Sequence, residues 1–423
     1  MRNTDNGFVV LDMFSGAGGL SEGFFRTGYK FITHIEKDLY ASMTLETRSA
    51  YHALKMNGME DHYMSYIAGE ISREDLLDES KYYMNNISSG NITSEISCSS
   101  RDKLISEIEN RQAKLKLKNV DVLIGGPPCQ AYSLVGRSRD PQNMRNDSRN
   151  DLYLHYLDFL KHFDPSIFVF ENVPGIISAK GGFIYKKFLK TVDEMGYTVN
   201  DKVLNSKAFF VLQNRNRLII IGWKSDYGLE YPSFAPIEHD YTISSLLDDL
   251  PSLNPGEGEE GPQDYHGPPT EYLKKSGLRS EQDILIQHRA RRHNERDRDI
   301  YRRAIDKWNK ENARIKYDEL PEDLKTHKNR NSFRDRYKVV AADLKYSQSI
   351  MAHLSQDGHY YIHPDINQAR SLTAREAARI QSFPDNFKFE GSRKSQYRQI
   401  GNAVPPLMAE GIAREIKKML EKI

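Results

Sequence analysis

Short apolar runs alternate with amphipathic stretches over the first 224 residues of the chain. The apolar runs are rich in Val, Ile and Phe, and the stretches between them have the spacing of helices with one apolar face. Strands that alternate with helices predict an α/β fold with a mostly parallel, doubly wound sheet. Ligands of such sheets bind beyond the carboxyl ends of the strands. The predicted strands are FVVLDMF, FITHIE, VDVLIGG, SIFVFENV and RLIIIGW, and the predicted helices cover 18–28, 38–56, 151–163 and 182–195.

Two stretches depart from this alternation. Residues 72–118 are polar and predict a surface insertion that includes a charged helix. After residue 225 the chain is rich in Pro, Gly and acidic residues, which is typical of an exposed connection. A basic stretch follows, with a predicted helix over 282–313. Regular patterning returns near 370, with a helix in LTAREAARIQ and a last helix from about 405.

Composition narrows the class of protein. The chain has 423 residues, a net charge of +1 and two cysteines. It contains no run of about 18 apolar residues, so we expect no membrane span, and its first residues lack the pattern of a secretory signal. Two cysteines are too few for a disulfide framework, which favours a reducing, cytoplasmic setting.

Charge is unevenly distributed along the chain. Residues 274–346 carry 21 Lys and Arg against 13 Asp and Glu, whereas 238–264 carry eight acidic residues and no basic one. A basic region inside a neutral protein suggests a polyanionic partner. Charge alone is explained equally well by a solvated helix with mixed charges.

A glycine-rich turn follows the first predicted strand, in VVLDMFSGAGGLSEGFF. Glycines at 16, 18 and 19 would let the backbone approach a ligand at the start of a helix. Ser21 departs from the dinucleotide fingerprint, which disfavours a pyrophosphate cradle. Glu36 ends the next strand, where a carboxylate can accept both hydroxyls of a ribose. The pattern therefore predicts an adenosine-type ligand.

Cys129 follows a strand and a stiff turn, in DVLIGGPPCQAYS. Pro127 and Pro128 fix their own φ angles and restrict the residues before them. A thiol held at the mouth of the sheet is suited to be a nucleophile, because its orientation is set in advance. The ordinary alternative for a lone cysteine is a structural or surface role, which we assign to Cys98.

Polar side chains at two other strand ends could join this thiol. Glu171 and Asn172 end SIFVFENV, and Gln213, Arg215 and Arg217 alternate in QNRNR, so they share one face of an extended chain. A carboxyl, a guanidinium and a thiol in one pocket suit a polar heterocycle. A salt bridge at a strand end is the simpler interpretation of Glu171 and the arginines.

Six motifs, FSGAGGL, GGPPCQAYS, ENV, QNRNR, RSLTAREAARIQSFP and GNAVPP, occur in this order. Together they closely resemble the DNA (cytosine-5)-methyltransferase family, over 8–223 and 363–423. The resemblance implies a Rossmann-like S-adenosylmethionine-dependent methyltransferase sheet plus a smaller target-recognition domain. It implies a catalytic domain of residues 1–224, completed by 363–423, and a target-recognition domain of residues 225–362.

The resemblance also implies roles for individual residues. Cys129 matches the nucleophile that adds to carbon 6 of cytosine, and Glu171 matches the carboxyl that holds and protonates N3. Arg217, and after it Arg215, matches the arginine near the base carbonyl and phosphate. The cytosine has to be flipped out of the duplex for this chemistry. No metal belongs to this expectation.

The implied cofactor is S-adenosyl-L-methionine, with S-adenosyl-L-homocysteine as product. A third acidic position, an Asp in the family, is matched by Glu70 and Ile71 in GEI. The other cofactor positions that match the family are Phe14, Gly16, Gly18, Leu20, Glu36, Lys37, Pro128, Leu152, Asn402 and Val404.

Two further stretches receive specific expectations. In LTAREAARIQSFP, Arg375, Glu376 and Arg379 have helical spacing and predict intrahelical pairs and packing rather than catalysis. In the recognition segment, THKNRNSFRDRYK is favoured for base contacts, and the basic QHRARRHNERDRDIYRRAIDKW is a second candidate. Both stretches could instead contact only phosphates or solvent.

Several alternatives stay open from sequence. A tRNA cytosine-5 methyltransferase has the same catalytic motifs, and a non-catalytic adenosine-binding regulator would need only the glycine turn. We expect this protein to be a monomer whose partner is double-stranded DNA. The enzyme could act alone, beside a cognate restriction endonuclease or within a larger phage-defence system.

Overall fold

The computed structural model describes residues 7–84, 88, 90–128, 152–331 and 333–423. Its centre is a seven-stranded sheet with the strand order β3-β2-β1-β4-β5-β8-β6. The strands of the described residues are β1 (Val9–Met13), β2 (Lys30–Glu36), β3 (Asn91–Thr93), β4 (Val122–Gly125), β5 (Ile167–Asn172), β6 (Tyr197–Asn205), β7 (Gln213–Asn214), β8 (Asn216–Lys224), β9 (Gly258–Glu259), β10 (His288–Arg289) and β11 (Ser347–Gln348).

The sheet is mostly parallel, as the sequence predicts. β1 to β5 pair in parallel, and only β8 runs antiparallel to its two neighbours in this sheet, β5 and β6. All five predicted strands are confirmed, as β1, β2, β4, β5 and β8. Prediction missed β3, which has three residues, and β6, an edge strand whose outward positions are polar and exposed.

Helices surround the sheet at the predicted places. The four helices predicted before residue 200 are confirmed, as are a charged helix after residue 100 and the last helix. The helices of the described residues are α1 (Gly19–Arg26), α2 (Leu39–Met56), α3 (Glu60–Ile67), α4 (Arg73–Met84), α5 (Arg101–Lys114), α6 (Leu152–Phe163), α7 (Phe183–Glu194), α8 (Glu271–Ser276), α9 (Glu295–Glu311), α10 (Ala374–Ile380), α11 (Arg393–Asn402) and α12 (Pro406–Leu420).

The polar stretch 72–118 is more than a surface insertion. It contains β3, which pairs with the end of β2 and extends the sheet at one edge. α4 and α5 lie before and after β3, and Leu76, Leu104 and Ile108 are buried. The expectation of a purely external excursion is therefore wrong.

Each face of the sheet has its own apolar core. One core joins Leu11, Leu123 and Phe170 of the sheet to α6 and α7. The other joins β1, β4 and β8 to α1 and to Met408 and Ile412 of α12. The last helix thus returns to the sheet, as predicted, because its apolar face packs on strands that lie much earlier in the sequence.

Residues between β8 and α12 form most of two further apolar cores. One contains residues from 243–285 together with residues from 340–403. The other core includes Ile300, Tyr301 and Ile305 of α9. The helix predicted over 282–313 begins only at Glu295, where the Asn294 side chain accepts the Asp297 N–H. The residues before it pair instead as β10 with β9.

Among the described residues, no helix is both long enough and apolar enough to cross a membrane.

Candidate active site

A cavity of about 400 Å³ opens beyond the carboxyl ends of β1, β2, β4 and β5. Its described lining comes from the turn after β1, the end of β2, the Pro127–Pro128 turn after β4 and the end of β5. Residues of α11 and the two residues that follow it, Ala403 and Val404, complete the described lining. The cavity therefore occupies the place where doubly wound sheets bind ligands.

The turn between β1 and α1 has an unusual backbone. Phe14, Gly16 and Gly18 have φ values of 56°, 57° and 85°. A Cβ on Gly16 would meet no atom of the described residues within 4 Å, so glycine here leaves room for a ligand to approach the backbone. A Cβ on Gly18 would lie 2.7 Å from a Leu45 methyl carbon. Phe14, Gly16 and Leu20 line the cavity, whereas Gly18 does not belong to its described lining, which corrects the assignment of Gly18 as a cofactor contact.

Glu36 ends β2 with its carboxylate fixed by two backbone donors. One oxygen accepts the Gly16 N–H and the other accepts the Asp38 N–H, each at 2.8 Å. Burial raises the pKa of Glu36, and the backbone hydrogen bonds oppose that rise. Because each carboxylate oxygen has a second lone pair, this donor set fits the two hydroxyls of a ribose.

Glu95 and Ile96, rather than Glu70 and Ile71, belong to the described lining of the cavity, which corrects the assignment of Glu70 and Ile71. Glu70 is exposed in the turn after α3, and neither residue belongs to the described lining of the cavity. β3 instead brings Glu95 and Ile96 to the edge of the sheet. Lys37 Nζ lies 3.1 Å from Glu95 Oε1. The sequence signal was SEI directly after NIT, which a search for strands by periodicity passes over.

Asn172 holds the turn that precedes the predicted nucleophile. Its side-chain amide donates to the Pro127 carbonyl at 3.1 Å, and Asn172 is buried at the end of β5. Pro128 lines the cavity. The two prolines and this hydrogen bond fix the backbone that leads to Cys129. Cys129 itself lies outside the described residues.

Glu171 and Arg217 form an ion pair in the wall of the same cavity. Arg217 Nε lies 2.6 Å from Glu171 Oε1, and the side chains are 9% and 13% exposed for Arg217 and Glu171. A Cβ on Gly126 would lie 2.5 Å from Glu171 Oε2, so glycine at the end of β4 makes room for this carboxylate. The salt bridge expected at a strand end exists, and it faces a cavity large enough for a ligand.

Arg215 does not belong to the cavity lining, which corrects its assignment as a catalytic residue. The side chain is buried and donates to the backbone carbonyls of Ile350, Gly401 and Ala403. β7 ends at residue 214 and β8 begins at residue 216. The alternation that predicted one shared face with Arg217 is therefore broken at residue 215.

The remaining predicted cofactor residues lie together. Leu152, Asn402 and Val404 line the cavity with Lys37. Sequence reasoning missed Asp12 and three other residues of α11 that line the cavity, Ser395, Arg398 and Gln399. α11 gave little apolar signal, because most of its buried residues are polar.

α10 differs from the expectation of intrahelical pairs. Arg375 donates to three backbone carbonyls outside the helix, and Arg379 forms ion pairs with Asp249 and Asp385. Glu376 pairs with Arg370. A helix of seven residues that is buried on all sides has to satisfy its charges with neighbouring segments. The predicted packing role is confirmed, but the predicted partners are wrong.

The basic helix α9 satisfies most of its own charge. Arg298, Arg303 and Lys310 pair with Glu295, Asp299 and Asp306 of the same helix. By contrast, Arg289, Arg292 and Lys328 form no ion pair with another described residue. These unpaired positive charges therefore precede and follow α9 in the sequence and do not belong to the helix itself.

Comparisons with known proteins indicate the family of this chain. The family model described as C-5 cytosine-specific DNA methylase matches residues 93–418. The chain is 41% identical to the type II methyltransferase M.Bpa9945I of Bacillus paralicheniformis, over 97% of this chain and 99% of that protein. It is 32% identical to the type II methyltransferase M.DdeI of Desulfomicrobium norvegicum, over 98% and 89% of the two chains.

Solved structures share the fold. A protein described as a DNA modification methyltransferase encoded within an E. coli prophage superposes with a TM-score of 0.67, at 22% identity, over 98% of this chain and 99% of that one. The Entamoeba histolytica methyltransferase EhMeth superposes with a TM-score of 0.56, at 15% identity, over 97% and 98% of the two chains. By the family model and by its identity to M.Bpa9945I, the chain belongs to the C-5 cytosine-specific DNA methylases.

Proposed function

We propose that this enzyme methylates carbon 5 of a cytosine flipped out of double-stranded DNA, with Cys129, Glu171 and Arg217 at the base. The observation that carries the proposal is that the Glu171–Arg217 pair lines the same cavity as Gly16 and Glu36. A site for a polar heterocycle thus adjoins a site suited to an adenosine. A cytosine stacked in a duplex cannot enter such a cavity, so it has to be extruded.

The proposed chemistry begins at Cys129. Its thiolate forms a bond to carbon 6, and the displaced electron pair moves through the ring to N3, which Glu171 protonates. Carbon 5 becomes an enamine carbon and can attack an electrophile. After a methyl group has bonded to carbon 5, the carbon-5 proton passes to a basic group or water and the Cys129 thiolate departs. N3 then returns its proton to Glu171, and the aromatic ring is restored. Arg217 holds Glu171 in place, and we assign its guanidinium to the base carbonyl.

The cavity fits S-adenosyl-L-methionine by the chemistry of its lining. When bound, this cofactor supplies an electrophilic methyl group and leaves as S-adenosyl-L-homocysteine. We assign the ribose hydroxyls to Glu36 and the adenine amino group to Glu95, and we assign the close backbone approach to Gly16. Apolar contacts come from Phe14, Leu20, Pro128, Leu152 and Val404.

We infer that residues 1–224, completed by 363–423, form the catalytic domain, and that residues 225–362 recognise the target sequence. Packing of α12 on the central sheet supports the first assignment. The relatives are named as type II methyltransferases, which supports a cytoplasmic modification role on double-stranded DNA. A partner nuclease and a larger defence system both fit this role. The family model favours DNA over tRNA, and the paired Glu171 and Arg217 favour catalysis over a regulator.

Methylation of a plasmid in cells, followed by bisulfite sequencing, tests the proposal. The wild-type protein should protect cytosines at one short recurring sequence. Cys129→Ser should abolish this protection, because a hydroxyl is a far weaker nucleophile at carbon 6. Glu171→Gln should lower the methylation rate by about 10²- to 10⁴-fold, the usual contribution of a general acid.

Cys98→Ser is the matched control, since Cys98 is exposed and does not belong to the described lining of the cavity. This variant should methylate the same sites as the wild-type protein. Protection that survives in Cys129→Ser would refute the covalent route, and no protection by well-expressed wild-type protein would refute the activity.

A further inference from the structure

One buried side chain, that of Arg215, holds two distant segments of the chain together. Its Nη1 donates to the Ile350 carbonyl at 2.6 Å, and its Nη2 donates to the Gly401 and Ala403 carbonyls at 3.0 and 2.9 Å. Arg215 is 1% exposed. A planar guanidinium can make such divided contacts because its donors point in fixed, different directions.

Two buried glutamines extend this contact. The Gln381 amide donates to the Ile400 and Ala403 carbonyls at 3.0 and 2.7 Å. Gln213 accepts the Ile350 N–H at 3.0 Å and donates to Gln381 Oε1 at 2.5 Å. The polar groups of the two segments are thus joined by one continuous hydrogen-bond network.

The backbones of the two segments also touch directly. A Cβ on Gly401 would lie 2.2 Å from the Ala352 nitrogen and 2.4 Å from the Met351 carbonyl carbon. β11, just before this point, pairs in parallel with β7, just before Arg215. Residues 347–352 are therefore fixed against residues 400–404 by the Gly401 contact and by Arg215, and against β7 by the strand pair. Residues 400–404, which are the end of α11 and the turn after it, are called the loop 400–404 below.

The loop 400–404 is also part of the cavity. Asn402, Ala403 and Val404 line it. A Cβ on Gly19 would lie 2.3 Å from the Val404 carbonyl oxygen, so the loop is in close contact with the start of α1. Any displacement of the loop has to change the wall of the cavity.

We propose that Arg215 is a positioning residue that couples cofactor binding to DNA binding. It sets the loop 400–404 for the cofactor and ties that loop to residues 347–352, at the end of the proposed recognition segment. The inference rests on the proposed function, because it takes the cavity as the cofactor site and residues 225–362 as the DNA-binding segment. Close-packed contacts shift together rather than deform gradually, and coupling between two ligands is reciprocal.

Titration calorimetry with S-adenosyl-L-homocysteine, with and without a duplex carrying the methylated sequence, tests this coupling. In the wild-type protein the duplex should tighten binding of S-adenosyl-L-homocysteine by about tenfold, within the usual range of coupling between sites. In Arg215→Lys this factor should fall to about one, because an ammonium group cannot hold both segments at once. Turnover at saturating cofactor should fall less than about threefold, with the loss in KM for the cofactor, since Arg215 does not touch the base.

Arg375→Lys is the matched control, because Arg375 is equally buried and donates to three backbone carbonyls away from the loop 400–404. It should keep the wild-type coupling factor. Gly401→Ala is a second disruptive variant, which separates the two segments sterically and should reproduce the loss of coupling if Arg215→Lys does not fold.

The outcomes separate this inference from the proposed function. A wild-type protein that binds no S-adenosyl-L-homocysteine would contradict the proposed cofactor site. If the wild-type protein shows coupling and Arg215→Lys or Gly401→Ala retains it, only the proposed role of Arg215 is overturned. A coupling factor of one in the wild-type protein has the same consequence. A large loss of turnover in Arg215→Lys at saturating cofactor would return Arg215 to catalysis.

Discussion

Asp12 is the residue on which burial acts most clearly in the cavity. It lies on β1, is 1% exposed and accepts a hydrogen bond from the Ser21 hydroxyl. Burial raises the pKa of Asp12 from 3.8 to about 7, although the Ser21 hydrogen bond acts in the opposite direction. Near neutral pH this carboxyl therefore changes between its protonated and ionised forms inside the folded protein.

The pKa of Asp12 gives a prediction with a defined sign. The folded state holds this proton more tightly than the unfolded chain, so ionisation costs stability as pH rises from about 4 to about 7. Asp12→Asn removes that cost. The stability of the variant relative to wild type should rise by about 2–3 kcal/mol between pH 5 and pH 8.

Denaturant titrations of both proteins at pH 5 and pH 8 measure this difference. Asp226→Asn, at an exposed carboxyl, is the matched control and should show almost no change between the two pH values. Equal differences for Asp12→Asn at the two pH values would contradict a raised pKa in the folded protein.

Two helices of this fold meet backbone to backbone where α1 crosses α12. A Cβ on Gly23 of α1 would lie 2.2 Å from the Glu410 nitrogen and 2.3 Å from the Ala409 carbonyl carbon. Arg26 Nε also pairs with Glu410 Oε2 at 2.9 Å. The last helix can cover the sheet only because α1 has no side chain at this position.

This contact reverses the usual effect of replacing glycine in a helix. In an exposed helix, Gly→Ala stabilises by about 1 kcal/mol. Gly23→Ala should instead lower the free energy of unfolding by about 1–3 kcal/mol, because the methyl group forces the two backbones apart. The measurement is the denaturant midpoint and slope. Gly267→Ala, where a Cβ meets no atom within 4 Å, should be close to neutral, and a neutral Gly23→Ala would mean that α12 is not packed in this way.

Buried ion pairs link distant segments at the scale of the whole molecule. Arg379 of α10 bonds Asp249 and Asp385, and Arg279 also pairs with Asp249, all in the interior. The first partner precedes α8 and the second follows α10, so this network fixes parts of the chain that are far apart in sequence. Removing one member of a buried pair leaves an uncompensated charge, which is far more costly than losing a surface pair.

DNA binding at the scale of the molecule should depend on the unpaired basic residues. A triple variant with Ala at Arg289, Arg292 and Lys328 should bind DNA more weakly. If each residue contacts one phosphate, the slope of log affinity against log salt should fall by about 2–3. Affinities measured at several salt concentrations give this slope.

The control is a triple Ala variant at Arg298, Arg303 and Lys310, whose charges are paired within α9. It changes net charge by the same amount and should alter the slope much less. Equal slopes for the two triple variants would show that total charge, rather than contact by these residues, determines the salt dependence.

Sequence alone determined the elements whose signal is local. The apolar runs of β1, β2, β4, β5 and β8 and the glycine turn after β1 are each encoded in a few consecutive residues, and the parallel sheet follows from their alternation. The position of Glu36 at a strand end follows in the same way. The order of short motifs was enough to indicate the family, because each motif keeps its own spacing.

Tertiary structure decided which of several similar residues reaches the cavity. Glu70 and Glu95 look alike in sequence, and only the pairing of the short strand β3 with β2 selects Glu95. Arg215 and Arg217 alternate, yet the break between β7 and β8 sends one to backbone carbonyls and the other to Glu171. Such choices depend on contacts between segments far apart in the chain, which no local pattern of residues encodes.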